Sequence, residues 1–192
     1  MGRILSGIIF CLVLAPLAVL AWFKFGHPPV AVDDKPFPYE RQIVQIPMEA
    51  RIDREMVKIQ PMSADESLLV AGAQIYRQQC ASCHGLHGKP SAFGSEMYPM
   101  APPLWEAHHD GKVVGVSDDP PGETYWKISN GIRLSGMPAY KRILTDTQIW
   151  QVTLLLANAD KPLPPEAVAI LRGDQQPQQT VNLAPSKPAK GK

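Results

Sequence analysis

The 192-residue chain is poor in cysteine, with only Cys11, Cys80 and Cys83. With no second cysteine pair, a four-ligand zinc site built on thiolates is excluded. An excess of either charge is also missing. Nineteen Lys and Arg face eighteen Asp and Glu, leaving a net charge of +1, and nothing in that balance points to nucleic acid. No stretch shows convincing strand alternation, so helices are the expected elements. No internal repeat is visible. The length suits one domain of ordinary size plus appendages. Proline is the abundant exception, with 20 residues mostly outside the central segment.

The two remaining cysteines stand in the run Cys80-Ala81-Ser82-Cys83-His84. C-x-x-C-H is the attachment signature of a c-type haem. Thiols three positions apart can each form a thioether to one of the two porphyrin vinyl groups, and the next residue then supplies an imidazole to the iron. A Cys80–Cys83 disulfide would explain the cysteines but not the histidine. A thioredoxin-like C-x-x-C belongs in a βαβ pattern, and no strands flank this one. The expected cofactor is therefore one covalent haem c, with Cys80 and Cys83 as tethers and His84 as proximal iron ligand.

The chain opens on an apolar segment. From Ile4 to Phe23 it carries no charge and is about long enough to cross a bilayer as a helix. Trp22, Phe23 and Lys24 make an interfacial end. A secretory signal peptide would have a shorter apolar region and a more basic start, although Val19-Leu20-Ala21 is a passable cleavage site. The length favours an uncleaved signal-anchor over residues 1–24, with Pro16 tolerated as a kink. Cys11 lacks the small residues of a lipoprotein box before it and reads as a small apolar residue. Arg3 and the amino terminus should stay in the cytoplasm and the rest should be exported. Haem attachment is expected on that same side, and the two inferences are independent.

Residues 25–62 carry prolines at positions 28, 29, 36, 38, 47 and 61. Proline removes a donor and fixes φ, so this reads as a semi-extended periplasmic tether, in which Ile43–Ile46 could form a short strand or lie against a partner. Residues 173–192 are rich in Gln, Pro, Lys and Ala and read as a disordered tail. The globular unit is then 63–172. Ser63 with Glu66 predicts a capping box and a helix running to the haem motif. Pro120 and Pro121 fit the first turn of a second helix ending at Asn130-Gly131. Thr145 with Gln148 predicts a third, ending near Ala159.

Helix, C-x-x-C-H, long loop, helix, Met loop and C-terminal helix resembles the layout of class I cytochromes c, over the central hundred or so residues. The resemblance implies an all-α cytochrome c fold, three to four helices around one covalently bound haem, here with an N-terminal transmembrane helix. It puts Gly72 where the N- and C-terminal helices cross, with Tyr76 beside it and Trp150 on the opposing helix. It implies Met137, in Gly136-Met137-Pro138-Ala139-Tyr140, as the sixth ligand from the opposite haem face. Met97 and Met100 are the competitors after the haem motif, while Met48, Met56 and Met62 fall in the tether. It also implies Pro102, in Pro102-Pro103-Leu104, as the carbonyl that receives the second ring N–H of His84. His87 is too near His84 to reach the other face. His108 and His109 read as exposed polar residues of a loop longer than compact family members need.

These features imply a non-enzymatic one-electron carrier, its iron cycling between ferrous and ferric in a respiratory or photosynthetic chain. The site is the bacterial inner membrane, with one membrane pass and the domain in the periplasm. Its partners are redox proteins at the membrane surface, with no nucleic acid and no small-molecule substrate. A fixed haem subunit of a membrane dehydrogenase or oxidase is the alternative. A gas sensor would need a displaceable Met137, and a peroxidase would need an open iron with distal acid/base groups.

Overall fold

The computed structural model describes residues 2–174. The expected tail at 173–192 falls outside the described residues from 175 on. The chain divides into two compact units, Met1–Val44 and Gln45–Lys192.

In the first unit, α1 runs from Gly2 to Phe25 with Pro16 inside it. Trp22 meets Phe37 edge-on at 5.5 Å between ring centroids. The Asp34 carboxylate accepts from the Val30 and Ala31 amides at 2.7 and 2.8 Å, closing the turn that follows. Among the described residues, no helix is long and apolar enough to cross a membrane.

The semi-extended tether expected over 25–62 is corrected by the structure. Helix α2 spans Glu40–Glu55, and its second half already belongs to the second unit, where Ile52 is 2 % exposed. The proline count misled because placement matters more than number. Five of the six prolines of 25–62 lie outside Glu40–Glu55, and only Pro47 interrupts the helical ladder. The helix also starts well. The Phe37 amide donates to Glu40 Oε2 at 2.8 Å, satisfying a donor at the helix entry. Further on, Arg51 and Glu55 pair one turn apart at 2.9 Å.

The second unit is helical, built on α3 (Glu66–Gln79) against α7 (Asp146–Leu156) and α8 (Pro165–Arg172). The cap of α3 is Asp65, not Ser63. Its carboxylate accepts from the Leu68 amide at 2.8 Å, two residues closer to the apolar face than Ser63. The capping box of α7 is present as expected, with Thr145 and Gln148 bonded reciprocally. Its last helical residue is Leu156, and a turn covers the three residues to Ala159. Along one face of α3, Gly72 meets the Gln151 carbonyl and comes within 3.1 Å of Leu155 Cβ, measured from where a Cβ on Gly72 would stand. Only glycine allows α3 and α7 this close. Tyr76, Ile149, Leu154, Leu155 and Leu171 are fully buried around that crossing.

Helix α6 (Pro121–Asn130) starts on its proline pair and stops at Gly131, as the sequence indicates. It packs on α7, where Tyr125 stacks on Trp150 at 4.4 Å. Helix α8 is an addition that the sequence reading did not contain. It is short, starts on the pair Pro164-Pro165 and ends at Gly173, and it is held by long-range contacts, among them Arg77 Nη1 donating to the Ile170 carbonyl at 2.8 Å. The loop with His108 and His109 is also more regular than expected. β1 (Ala107–His108) and β2 (Val113–Val114) pair antiparallel. Strands of two residues are too short to show alternation in sequence.

Candidate metal centre

Two short helices follow α3 directly: α4 (Ala81–His84), and α5 (Ala92–Ser95) packed on it. The Cys80 amide donates to the Tyr76 carbonyl at 2.8 Å, and the His84 amide to the Cys80 carbonyl at 2.9 Å. Cys80, Cys83 and His84 are thereby carried on one continuous helical path out of α3. Tyr76 secures the exit: its hydroxyl donates to the Gly85 carbonyl at 2.8 Å, and Trp105 meets its ring edge-on at 5.5 Å. Cys80 and Cys83 are unbridged and both half-buried. Burial, then the neighbouring Cys83, pushes the Cys80 thiol up to about 12. A thioether has no proton to lose, so it suits this position better than a thiolate does.

His84 Nδ1 lies 2.8 Å from the Pro102 carbonyl, across 18 residues of sequence. A carbonyl can only accept, so Nδ1 carries the proton and Nε2 holds a lone pair. Burial lowers the pKa of the imidazole, and the Pro102 carbonyl works in the opposite direction. A neutral ring with its Nε2 lone pair free is the form that binds a metal. Leu104 ties the same segment down, its amide donating to the His84 carbonyl at 3.3 Å.

Met137 is half-buried and packs against the hydrophobic core. Its loop leaves α6 at Gly131, which has φ 67° and would need a Cβ 2.7 Å from the Met137 carbonyl. The Ile132 amide donates to that same carbonyl at 3.3 Å, and the Met137 amide donates to Ser135 Oγ at 3.1 Å. Met97 crosses from the segment after α5 to lie against Gly136. Met100 is exposed, and Met62 packs on the core beside the first turns. His108 and His109 are exposed. His108 Nε2 is held 2.6 Å from the Gly115 carbonyl, within its own hairpin. His87 is exposed as well.

Tyr140 is the residue whose part in the site the sequence reading missed. It is buried, in a 3-10 turn over Tyr140–Arg142, and its hydroxyl donates to the Gln79 carbonyl at 2.6 Å, across 61 residues. The Met137 loop is thus fastened to the residue immediately before Cys80. The only sequence signal was an aromatic closing the Gly-Met-Pro-Ala-Tyr run.

Tyr140 also carries a prediction. Burial raises the pKa of both the Tyr140 and the Tyr76 phenols above the ordinary value of about 10. Each phenol then holds its proton more tightly folded than unfolded. Their contribution is fully present below about pH 10 and is lost as pH rises beyond it. Tyr140→Phe is expected to cost about 1 kcal/mol at neutral pH through the lost hydrogen bond and to make the alkaline fall in melting temperature shallower. A melting temperature equally steep in alkali for both proteins would refute this.

The residues present fit a covalently held haem: two thiols that suit thioether formation, a neutral oriented imidazole, and a methionine on a loop fastened to the same turn. Residues 68–155 match the family model described as cytochrome C oxidase, cbb3-type, subunit III. No curated protein and no solved structure matches the chain.

Proposed function

Residues 68–155 form a class I c-type cytochrome domain, and on that premise we propose that the protein is a membrane-anchored, one-electron carrier with a single haem c. The observation that carries this reading is the turn bearing Cys80, Cys83 and His84, with His84 Nδ1 engaged by Pro102. In this reading Cys80 and Cys83 form the thioethers and His84 is the proximal ligand. Pro102 fixes the His84 ring and Met137 is the sixth ligand. The bound group supplies a couple between ferrous and ferric iron. His84 and Met137 would hold the iron, and with both in place no site on it would be left for a substrate. A thioether is a soft, neutral donor that favours the ferrous state, so Met137 raises the potential. The buried side chains of α3 and α7 keep water away and lower the local dielectric.

The support for anchoring is the sequence of α1, uncharged from Ile4 to Phe23 with Lys24 in its last turn. We assign it as a single membrane pass, with the haem domain on the periplasmic side of a bacterial inner membrane. Anchoring raises the effective concentration of redox partners in the same membrane, and docking is expected to be small and transient. A second reading is a fixed haem subunit of a membrane oxidase, favoured by the family description itself. Mild detergent extraction separates the two: a stoichiometric partner supports the subunit, and a lone monomer supports the free carrier.

The direct test of the carrier reading is the visible spectrum of the haem-loaded, reduced protein with and without carbon monoxide. A sharp low-spin spectrum unmoved by the gas is expected. A shift on adding the gas would mean an open iron and would reject the reading.

A further inference from the structure

We propose that the segment Arg51–Val57 is a strap that sets the position of the Met137 loop through α6, with Glu55 and Trp126 as positioning residues. The proposal rests on the reading of Met137 as an iron ligand. Along one face of α6, residues at helical spacing of four are engaged in turn. At Gly122, the Val57 backbone lies so close that a Cβ would collide with its carbonyl. At Trp126, the indole Nε1 donates to Glu55 Oε2 at 2.9 Å. The Arg51 guanidinium sits over the same indole, 5.8 Å from its centroid, and donates from Nε to the other Glu55 oxygen at 2.9 Å. At Asn130, the side-chain amide donates to the Trp126 carbonyl at 3.0 Å while its oxygen accepts from Lys141 Nζ at 2.7 Å. Lys141 closes the Met137 loop from the far side.

The row Val57–Gly122, Glu55–Trp126, Asn130–Lys141 therefore runs from the strap to both ends of the loop that presents Met137. Trp126 is central, since its side chain faces the strap and its carbonyl holds Asn130. Within the strap Ile52 is also buried, and further along the chain Met62 packs on the core. The strap's hold on α6 is a small set of directional contacts, able to let go without unfolding the helices around the haem.

The test uses the full-length, haem-loaded protein in detergent, with Gly122→Ala, Glu55→Ala, Trp126→Phe and Glu55→Gln compared with the parent. Two transitions are followed on heating. One is loss of the weak red-edge charge-transfer band of ferric, thioether-ligated haem, and the other is loss of helical circular dichroism. Glu55→Ala and Trp126→Phe are expected to lose the band at lower temperature while the helical transition stays in place, and to bind cyanide about fivefold faster. Glu55→Gln keeps an acceptor for Trp126 and should stay near the parent. If the band and the helical transition fall together, or if neither moves, the strap does not position the loop and the proposal is overturned. Gly122→Ala reads the backbone contact at Val57 by the same criteria. Failure of the underlying reading is distinct: the parent itself would then lack the band.

Discussion

Replacing Met137 by alanine is expected to abolish the low-spin reduced spectrum, open the iron to carbon monoxide, and lower the reduction potential. The drop should be on the order of 0.1 V or more, within the roughly 0.8 V that axial ligands span. The direction follows from the donor. A thioether stabilises ferrous iron over ferric, and water or hydroxide in its place reverses that preference. Folding should change far less, because the loop keeps its other ties. Tyr140 remains on the Gln79 carbonyl, and the Ile132 amide still meets the carbonyl of residue 137. An unchanged spectrum would reject Met137 as ligand. The next residue to examine would be Met97, whose side chain already lies against Gly136.

Gly72→Leu is expected to have the largest effect on stability. Glycine inside a helix costs up to about 1 kcal/mol in propensity, so by that effect alone any larger residue should help. Here the effect is outweighed. A side chain at 72 would be driven into the Gln151 carbonyl and Leu155 Cβ, and neither a helix backbone nor a fully buried leucine can give way. Overpacking of this kind costs about 1–3 kcal/mol for smaller insertions and more for a whole isobutyl group. With about 4–8 °C lost per kcal/mol in a domain of this size, a fall of roughly 15 °C or more is expected in the thermal midpoint. Gly72→Ala should fall between this and the parent. A Gly72→Leu midpoint at or above the parent's would mean that α3 and α7 do not cross there in solution.

Much of the site was legible before the structure because its chemistry is local. The proposed tethers and proximal ligand, Cys80, Cys83 and His84, occupy five consecutive positions, a spacing that haem attachment requires whatever the surrounding fold. The caps of α6 and α7 were legible for a similar reason. A capping box or a proline pair acts within one turn, so the residues that make it are adjacent in sequence. Asp65 shows the limit of that reading. Ser63 and Glu66 satisfied the pattern, but the helix starts two residues later, where Asp65 accepts from the Leu68 amide, and only the folded backbone decides between the two starts.

Residues 25–62 were misjudged for a different reason. Proline frequency predicts extended chain only where prolines interrupt every turn, and Glu40–Glu55 contains just one. What keeps this helix against the domain lies elsewhere in the chain, since Glu55 and Trp126 are 71 residues apart. Helix α8 was missed on similar grounds. Eight residues give barely two turns of periodicity, although Pro164-Pro165 and Gly173 bound them, and their burial depends on α3.

The sequence by itself determined the C-x-x-C-H motif and the helical character of the domain, because motifs, caps and periodicity act over a few residues. The tertiary structure decided which carbonyl orients His84, that Tyr140 fastens the Met137 loop to Gln79, and that the presumed tether doubles back onto α6. Each of these joins positions 18 to 71 residues apart. Such contacts exist only once the intervening chain has closed around a common core, and no local pattern encodes that closure.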